Sequence, residues 1–462
     1  MVRCRPFMSA SRVIRAVAAA ELPLVLALAP ALLFPTPARM LVLLAVPAIW
    51  ACARRTSGHA IPPTPFNSAL LLLLVMLVVS LGATADLLFS LGKVAGVALG
   101  VLVFWAVARW VTTPWRFSVA TAAFIACGSL LAIAGLLGTN WFGKFPVFAE
   151  VLVHMPRAIR GVPGAEKGFQ PNGVAGCLVL FLPLQIALLT RRGGTIFHPL
   201  HTTKNGRIAL VVFEWTAILS TALALLLTQS RGAWIGIALA GTAFLAWYGW
   251  RSRALLAAIV AGVAAWIVAA GPSQFAHAAI GRSGANMAQN VTGRLEVWSR
   301  ALYAIADFPL TGVGMNSFRR VMPALYPTFM LPPDTDVTHA HNQLLQAALD
   351  LGIPGLIAYL ALWLIAGALL VAVYRRAADP ACRVVAGGLG AGLIAQFAFG
   401  MTDAIGLGSK PGVLFWMMLA LVACLHRLAL NIQPTPSREK IQSAASPSDR
   451  TTASGRPGER SA

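Results

Sequence analysis

Residues 353–374 read IPGLIAYLALWLIAGALLVAVY, an uncharged run closed by Arg375 and Arg376. As an α-helix it would be roughly 33 Å long, enough to cross a hydrocarbon layer of about 30 Å, and the arginine pair marks one end. Eleven more apolar runs of similar character occupy 20–36, 39–53, 68–84, 91–108, 117–138, 172–190, 208–228, 232–250, 254–270, 384–402 and 411–430. They are continuous and rich in Leu, Ala and Val. Strands of a membrane barrel would be about ten residues long and would alternate with polar positions. The pattern therefore predicts an all-α, polytopic membrane protein with about twelve transmembrane helices.

Composition agrees. Hydrophobic residues make up 58% of the 462 positions, charged residues 11%, and the mean hydropathy is +0.74. A soluble domain carries about 25% charged residues, so that class is excluded. The net charge of +21 raises the question of a nucleic-acid partner, which the distribution of charge answers. With the N-terminus in the cytoplasm, almost two thirds of the 36 Lys and Arg residues fall in inside loops, among them Arg54, Arg55, Arg191, Arg192, Arg251, Arg253 and Arg383. Positive-inside bias accounts for the charge, and no nucleic acid is required. Both termini are expected in the cytoplasm of a bacterium, with the protein in its inner membrane.

On this topology the chain divides into a cytoplasmic N-terminus (1–19), helices one to nine (20–270) with an outside loop at 139–171, a large periplasmic helical loop (271–351), helices ten to twelve (352–430) and a tail (431–462). The tail, rich in Ser, Pro, Gly and charge, is expected to be disordered. The first thirty residues read as a retained helix rather than a cleaved signal. Cys4, Cys52, Cys127, Cys177, Cys382 and Cys424 include no CxxC pair, so neither a disulfide nor a thiolate metal site is indicated.

The basic residues outside are concentrated. Lys144, Arg157, Arg160 and Lys167 lie in the loop before 172; Arg282, Arg294, Arg300, Arg319 and Arg320 lie in the large loop; Arg231 sits in the five-residue turn TQSRG between two spans; Arg39, Lys93 and Lys410 complete the set. Cations on the disfavoured face suggest an anionic ligand such as a phosphate. Solvated loops paired with Glu150, Glu166, Glu296 and Asp307 are the competing explanation. Arg231 allows the same two readings: snorkelling to headgroups, or bidentate phosphate contact.

Within the large loop, NVTGRLEVW (290–298) predicts a helix capped by Thr292 and running to Ala306, which Pro309, Gly312 and Gly314 then terminate. Asp334-Thr335-Asp336 is a DxD, which holds a divalent metal in many sugar-nucleotide enzymes but equally serves a turn. Beyond it comes Thr338-His339-Ala340-His341-Asn342-Gln343, and nine residues after Asn342, Gly352-Ile353-Pro354-Gly355. Imidazole titrates near neutrality, so this His-X-His step is a natural place for a general base. A second helix is expected over 341–349.

The string His341-Asn342, nine residues, Gly352-Ile353-Pro354-Gly355 resembles the motif H-[N/S/Q]-X9-G-X-X-[G/T/Y] of bacterial O-antigen ligases and the related protein-glycosylating oligosaccharyltransferases. Gln229 to Gly232, Gly293 to Trp298 and Phe169 to Asn172 are similar to further features of that superfamily, which includes O-antigen polymerases. The resemblance spans most of 169–406. It implies transfer of a polysaccharide from undecaprenyl diphosphate to a sugar hydroxyl of the lipid A-core on the periplasmic face, inverting, with no metal and no cofactor, in lipopolysaccharide biosynthesis. Carried over residue by residue, His341 is the base, and Arg231 and Arg294 neutralise the leaving diphosphate. His339, Asn342, Asn172, Arg157, Arg160, Arg319, Arg320 and Asp403 are candidates for holding substrate. A protein O-oligosaccharyltransferase and a polymerase remain alternatives. A polysaccharide or lipid transporter is the alternative outside the class, although it would be expected to carry ionisable groups near the midplane of its spans, and here only Glu214, near the inner end of one, and little else qualifies.

Overall fold

The computed structural model describes residues 10–139, 141, 168–190, 204–270, 284–331 and 335–430. Its helices are α1 (Ala10–Ala19), α2 (Glu21–Leu33), α3 (Pro37–Met40), α4 (Ala45–Ser57), α5 (Asn67–Ala83), α6 (Leu87–Trp110), α7 (Pro114–Gly138), α8 (Pro171–Leu178), α9 (Leu182–Thr190), α10 (Lys204–Thr228), α11 (Arg231–Tyr248), α12 (Trp250–Ala270), α13 (Gly284–Asp307), α14 (Phe318–Leu325), α15 (Gln343–Arg376), α16 (Pro380–Gly400) and α17 (Val413–Ala429). Short 3-10 turns extend α4 and α17 at their N-terminal ends. Among the described residues the only β contact is an isolated bridge between Thr139 and Phe169. The all-α expectation holds, and the chain is a multi-pass membrane protein.

All twelve apolar runs fall on helices, but twelve spans are not established. Eight helices among the described residues are long and apolar enough to cross a membrane, and α1 with α2, bent by 62°, would make a ninth. The 17 residues of α5 reach only about 26 Å, short of a hydrocarbon layer of about 30 Å, and the count is of the described residues alone.

Helices in lipid associate through close packing rather than apolar burial, so small residues lie where backbones meet. A side chain at Gly236 of α11 would lie 2.5 Å from the Ala395 carbonyl of α16, and one at Gly392 would lie 2.6 Å from that of Leu180. Gly96 of α6 and Gly408 are in backbone contact, and Gly100 seats the Trp416 ring of α17. The end of the bundle bearing Arg375 and Arg376 is tied by Arg109, which pairs with Glu21 and donates to the His59 carbonyl. Trp105 Nε1 donates to Asn67 Oδ1 there at 3.1 Å.

The segment 284–349 builds its own small core from Val297, Ala301, Ala304, Val313, Phe318, Met322, Tyr326, Val337, Ala340 and Leu349. Its first helix starts at Gly284, so Thr292 lies inside it rather than capping it. The helix expected over 341–349 starts instead at Gln343, with Asn342 as its cap. It then breaks at Gly352, whose φ is 69°. In a straight helix Gln343 and Tyr359 would be about 24 Å apart, yet the Tyr359 hydroxyl donates to Gln343 Oε1 at 3.0 Å. The arm 343–351 therefore folds back along 353–376. Its start is within side-chain reach of Tyr359, about 10 Å along the span from Gly352.

Candidate active site

The fold-back decides where the two histidines stand. Asn342 Oδ1 accepts the Leu344 and Leu345 N–H groups at 2.9 and 3.2 Å, and its Nδ2 donates to the Met401 carbonyl. This residue, expected to hold substrate, has its side chain committed to a cap and to the end of α16. Gln343 reaches the same end by donating to the Phe397 carbonyl. Ala340 is fully buried, and its N–H donates to Gln346 Oε1 at 2.9 Å. With Ala340 turned inward, His339 and His341 both face the end of α16, and His341 adopts φ 50°. A non-glycine residue in the left-handed region costs of order 1–3 kcal/mol, a strain that concentrates at functional sites.

Asp403 stands between the imidazoles. His341 Nδ1 lies 3.3 Å from Asp403 Oδ1, His339 Nε2 lies 3.6 Å from the same oxygen, and the ring centroids are 4.3 Å apart. The tautomers follow from these contacts. His339 Nδ1 accepts the His341 backbone N–H at 3.1 Å, so the ring proton of His339 is on Nε2, directed toward the carboxylate. His341 donates Nδ1–H to Asp403 and is left with Nε2 as proton acceptor, the arrangement in which a carboxylate orients a histidine base. The His341 side chain is 32% exposed, enough to meet a substrate.

Electrostatics keep His339 uncharged. Burial is the largest cause, the His341 charge adds to it, and Lys93 and Arg294 push the same way against Asp403, holding His339 down at about 4 from an ordinary 6.5. For Asp403, burial pushes upward but is outweighed by the hydrogen bond from His341, the electrostatic interaction with both imidazoles and the Ala404 N–H, so its carboxyl sits below the usual value.

His339, His341 and Asp403 are also the one group among the described residues whose ligand atoms lie within 4.8 Å of one another, as a metal site would need. The hydrogen bonding opposes that use. Ligation through His339 Nε2 would move its proton to Nδ1, against the His341 N–H it now accepts. Of the DxD, Asp336 is engaged by Arg319, whose Nε donates to Oδ1 at 2.6 Å in a two-pronged pair, and Asp334 lies outside the described residues.

The arginines expected to neutralise a diphosphate stand at this end. Arg231 is the first residue of α11, exposed, after a turn in which Gln229 has φ 50°. The helix start sits against Thr402, since a side chain at the next residue, Gly232, would lie 2.6 Å from Thr402 Oγ1. Arg294, half-buried on α13, is felt electrostatically by His339. Asn172 is on the first turn of α8, half-buried, one turn from Gly176, which packs on Phe399 of α16. The other cations differ. Arg319 is engaged by Asp336, and Arg320 lies 3.9 Å from Asp86 and over the Phe89 ring, which draws both away from the histidines. Arg157 and Arg160 lie outside the described residues. Glu296, expected to balance loop charge, lies 3.9 Å from Arg300 and also accepts the N–H groups of Phe329, Met330 and Leu331.

The sequence reading passed over Gln346, which pins the backbone between the histidines, and gave no role to Lys93, whose charge reaches His339. The signal for Lys93 was available: a lone lysine within an apolar run. That for Gln346 was not, because its partner is a backbone amide.

A family model described as O-antigen ligase matches residues 216–360, which include Arg231, Arg294, His339, His341 and Asn342. No curated protein matches the chain.

Proposed function

We propose, from the premise that this chain is a member of the O-antigen ligase family, that it transfers a polysaccharide from undecaprenyl diphosphate to a sugar hydroxyl of lipid A-core on the periplasmic face of the inner membrane. The observation that carries the reading is the His341–Asp403 contact at 3.3 Å, which directs the proton-accepting nitrogen of His341 away from the carboxylate. A sugar hydroxyl is a poor nucleophile, and a positioned base contributes about 10²- to 10⁴-fold. His341 Nε2 takes the hydroxyl proton as the oxygen attacks the anomeric carbon from the face opposite the diphosphate, so configuration inverts. The bond to the diphosphate oxygen breaks, and Arg231 and Arg294 receive its charge. Two fixed guanidinium groups supply the stabilisation that a metal would otherwise give.

A lipid carrier also suits a site recessed along the span. The polyprenyl chain stays in the bilayer while the diphosphate reaches the cations, so no extraction into water is needed.

The test is transfer by purified protein from undecaprenyl-diphosphate-linked glycan to rough lipopolysaccharide, with chelator present. Transfer is expected in chelator, and His341→Ala is expected to lower it by about 10²-fold or more. Near-normal transfer by that variant would remove His341 from the mechanism. Product on a protein acceptor, or lengthening of the lipid-linked glycan without a lipid A acceptor, would reassign the chain to the glycosylating or polymerising branch of the superfamily.

A further inference from the structure

Lys93 lies on α6, about 9 Å along the helix from Leu87, and is half-buried. A charge at this depth is costly unless it meets a partner, and such residues mark ligand sites. Its ammonium is close to the loop that carries Asp403: a side chain at Gly406 would lie 2.8 Å from Lys93 Nζ. The Lys93 charge acts on His339, as does that of Arg294, and it acts on Asp350 of the fold-back arm. The lysine therefore borders the space in which the histidines stand.

Among the described residues Lys93 makes no hydrogen bond and has no carboxylate within 4.0 Å, so all three donors of the ammonium are unspent. Asp350 is the carboxylate whose charge acts on Lys93, but the two form no ion pair within 4.0 Å. Asp350 Oδ1 already accepts the Asn316 N–H at 3.0 Å and Gln346 Nε2 at 2.9 Å. Gly406 matters for the same reason, because any larger residue would press on the ammonium.

We propose that Lys93 is a third cation of the diphosphate subsite, binding donor phosphate oxygens from α6 while Arg231 binds from the start of α11 and Arg294 from α13. The assignment rests on the ligase-type reading above and adds to it where the diphosphate lies.

The test is binding of undecaprenyl diphosphate and of inorganic pyrophosphate to the full-length protein in nanodiscs. Lys93→Met is expected to weaken both by about tenfold or more, and Lys93→Arg to retain most of the affinity. Melting of each variant checks folding, and Lys93→Met/Asp350→Asn removes both charges together. If the double variant regains affinity, Lys93 serves only to balance Asp350 and the proposal falls; if it remains weak, the ligand role stands. Equal binding by wild type and Lys93→Met overturns the assignment alone, whereas a wild-type protein that binds neither probe overturns the donor reading as well.

Discussion

At the scale of single residues, His341 combines the proposed role of base with a backbone penalty. Its φ of 50° is a conformation that glycine adopts freely, so His341→Gly should hold or raise the melting temperature, by the equivalent of about 1 kcal/mol, while transfer is lost. A thermal melt beside the transfer assay checks both; a variant that melts lower would show that the strain is not relieved there. His339 makes a separate prediction. Its folded value of about 4 lies below the ordinary 6.5, so the folded protein binds fewer protons in that interval. Its contribution to stability is complete above pH 6.5 and is lost as the pH falls through about 4. The full shift is worth up to about 3 kcal/mol. Melting temperatures between pH 7 and 4 should fall less steeply in His339→Gln than in wild type. Both histidines were legible in the sequence as candidate groups. Their division of labour was not, because it depends on which nitrogen meets Asp403, 62 positions beyond His341.

At the scale of elements, the break in α15 positions the site. Pro354 and the flanking glycines suggested only a helix start, and a pattern of apolar spacing cannot distinguish a straight helix from one folded back on itself. The cue was the need for a left-handed residue at 352. A side chain on Gly352 would meet the Leu310 carbonyl as well as an unfavourable φ, so Gly352→Ala should destabilise by more than 1 kcal/mol. It should also displace the fold-back arm, so limited proteolysis near 310–352 should quicken and transfer should fall although no catalytic group has changed. Unaltered melting and activity would contradict the structural role of the break. The Thr292 cap failed for a related reason: polar spacing marked a helix face correctly, but residues 284–291 continue the helix beyond any cap signal.

At the scale of the whole molecule, the alternation of basic loops predicts that the end bearing Arg375 and Arg376 faces the cytoplasm and that the histidines face the periplasm. Single cysteines introduced at Ser57 and Thr328, in a background without native cysteines, should report this. A membrane-impermeant maleimide added to intact spheroplasts should label position 328 and not position 57, and the reverse result would invert the topology and dispose of the periplasmic site. Span number is the weaker whole-molecule inference, since apolar runs identify helices but not whether each one crosses.

Apolar runs, loop charge and the His-Asn-to-Gly spacing by themselves determined the class and the helical fold, pointed to the family whose model matches 216–360, and named the histidine and two arginines proposed to act, because hydropathy and short motifs are local properties. Only the tertiary structure decided that Asp403 orients His341, that Asn342 is a cap, that Arg319 and Arg320 face other partners, and that Lys93 borders the same space. Those facts depend on a fold-back at one glycine and on close backbone contacts between distant helices, which set distances that no local pattern encodes.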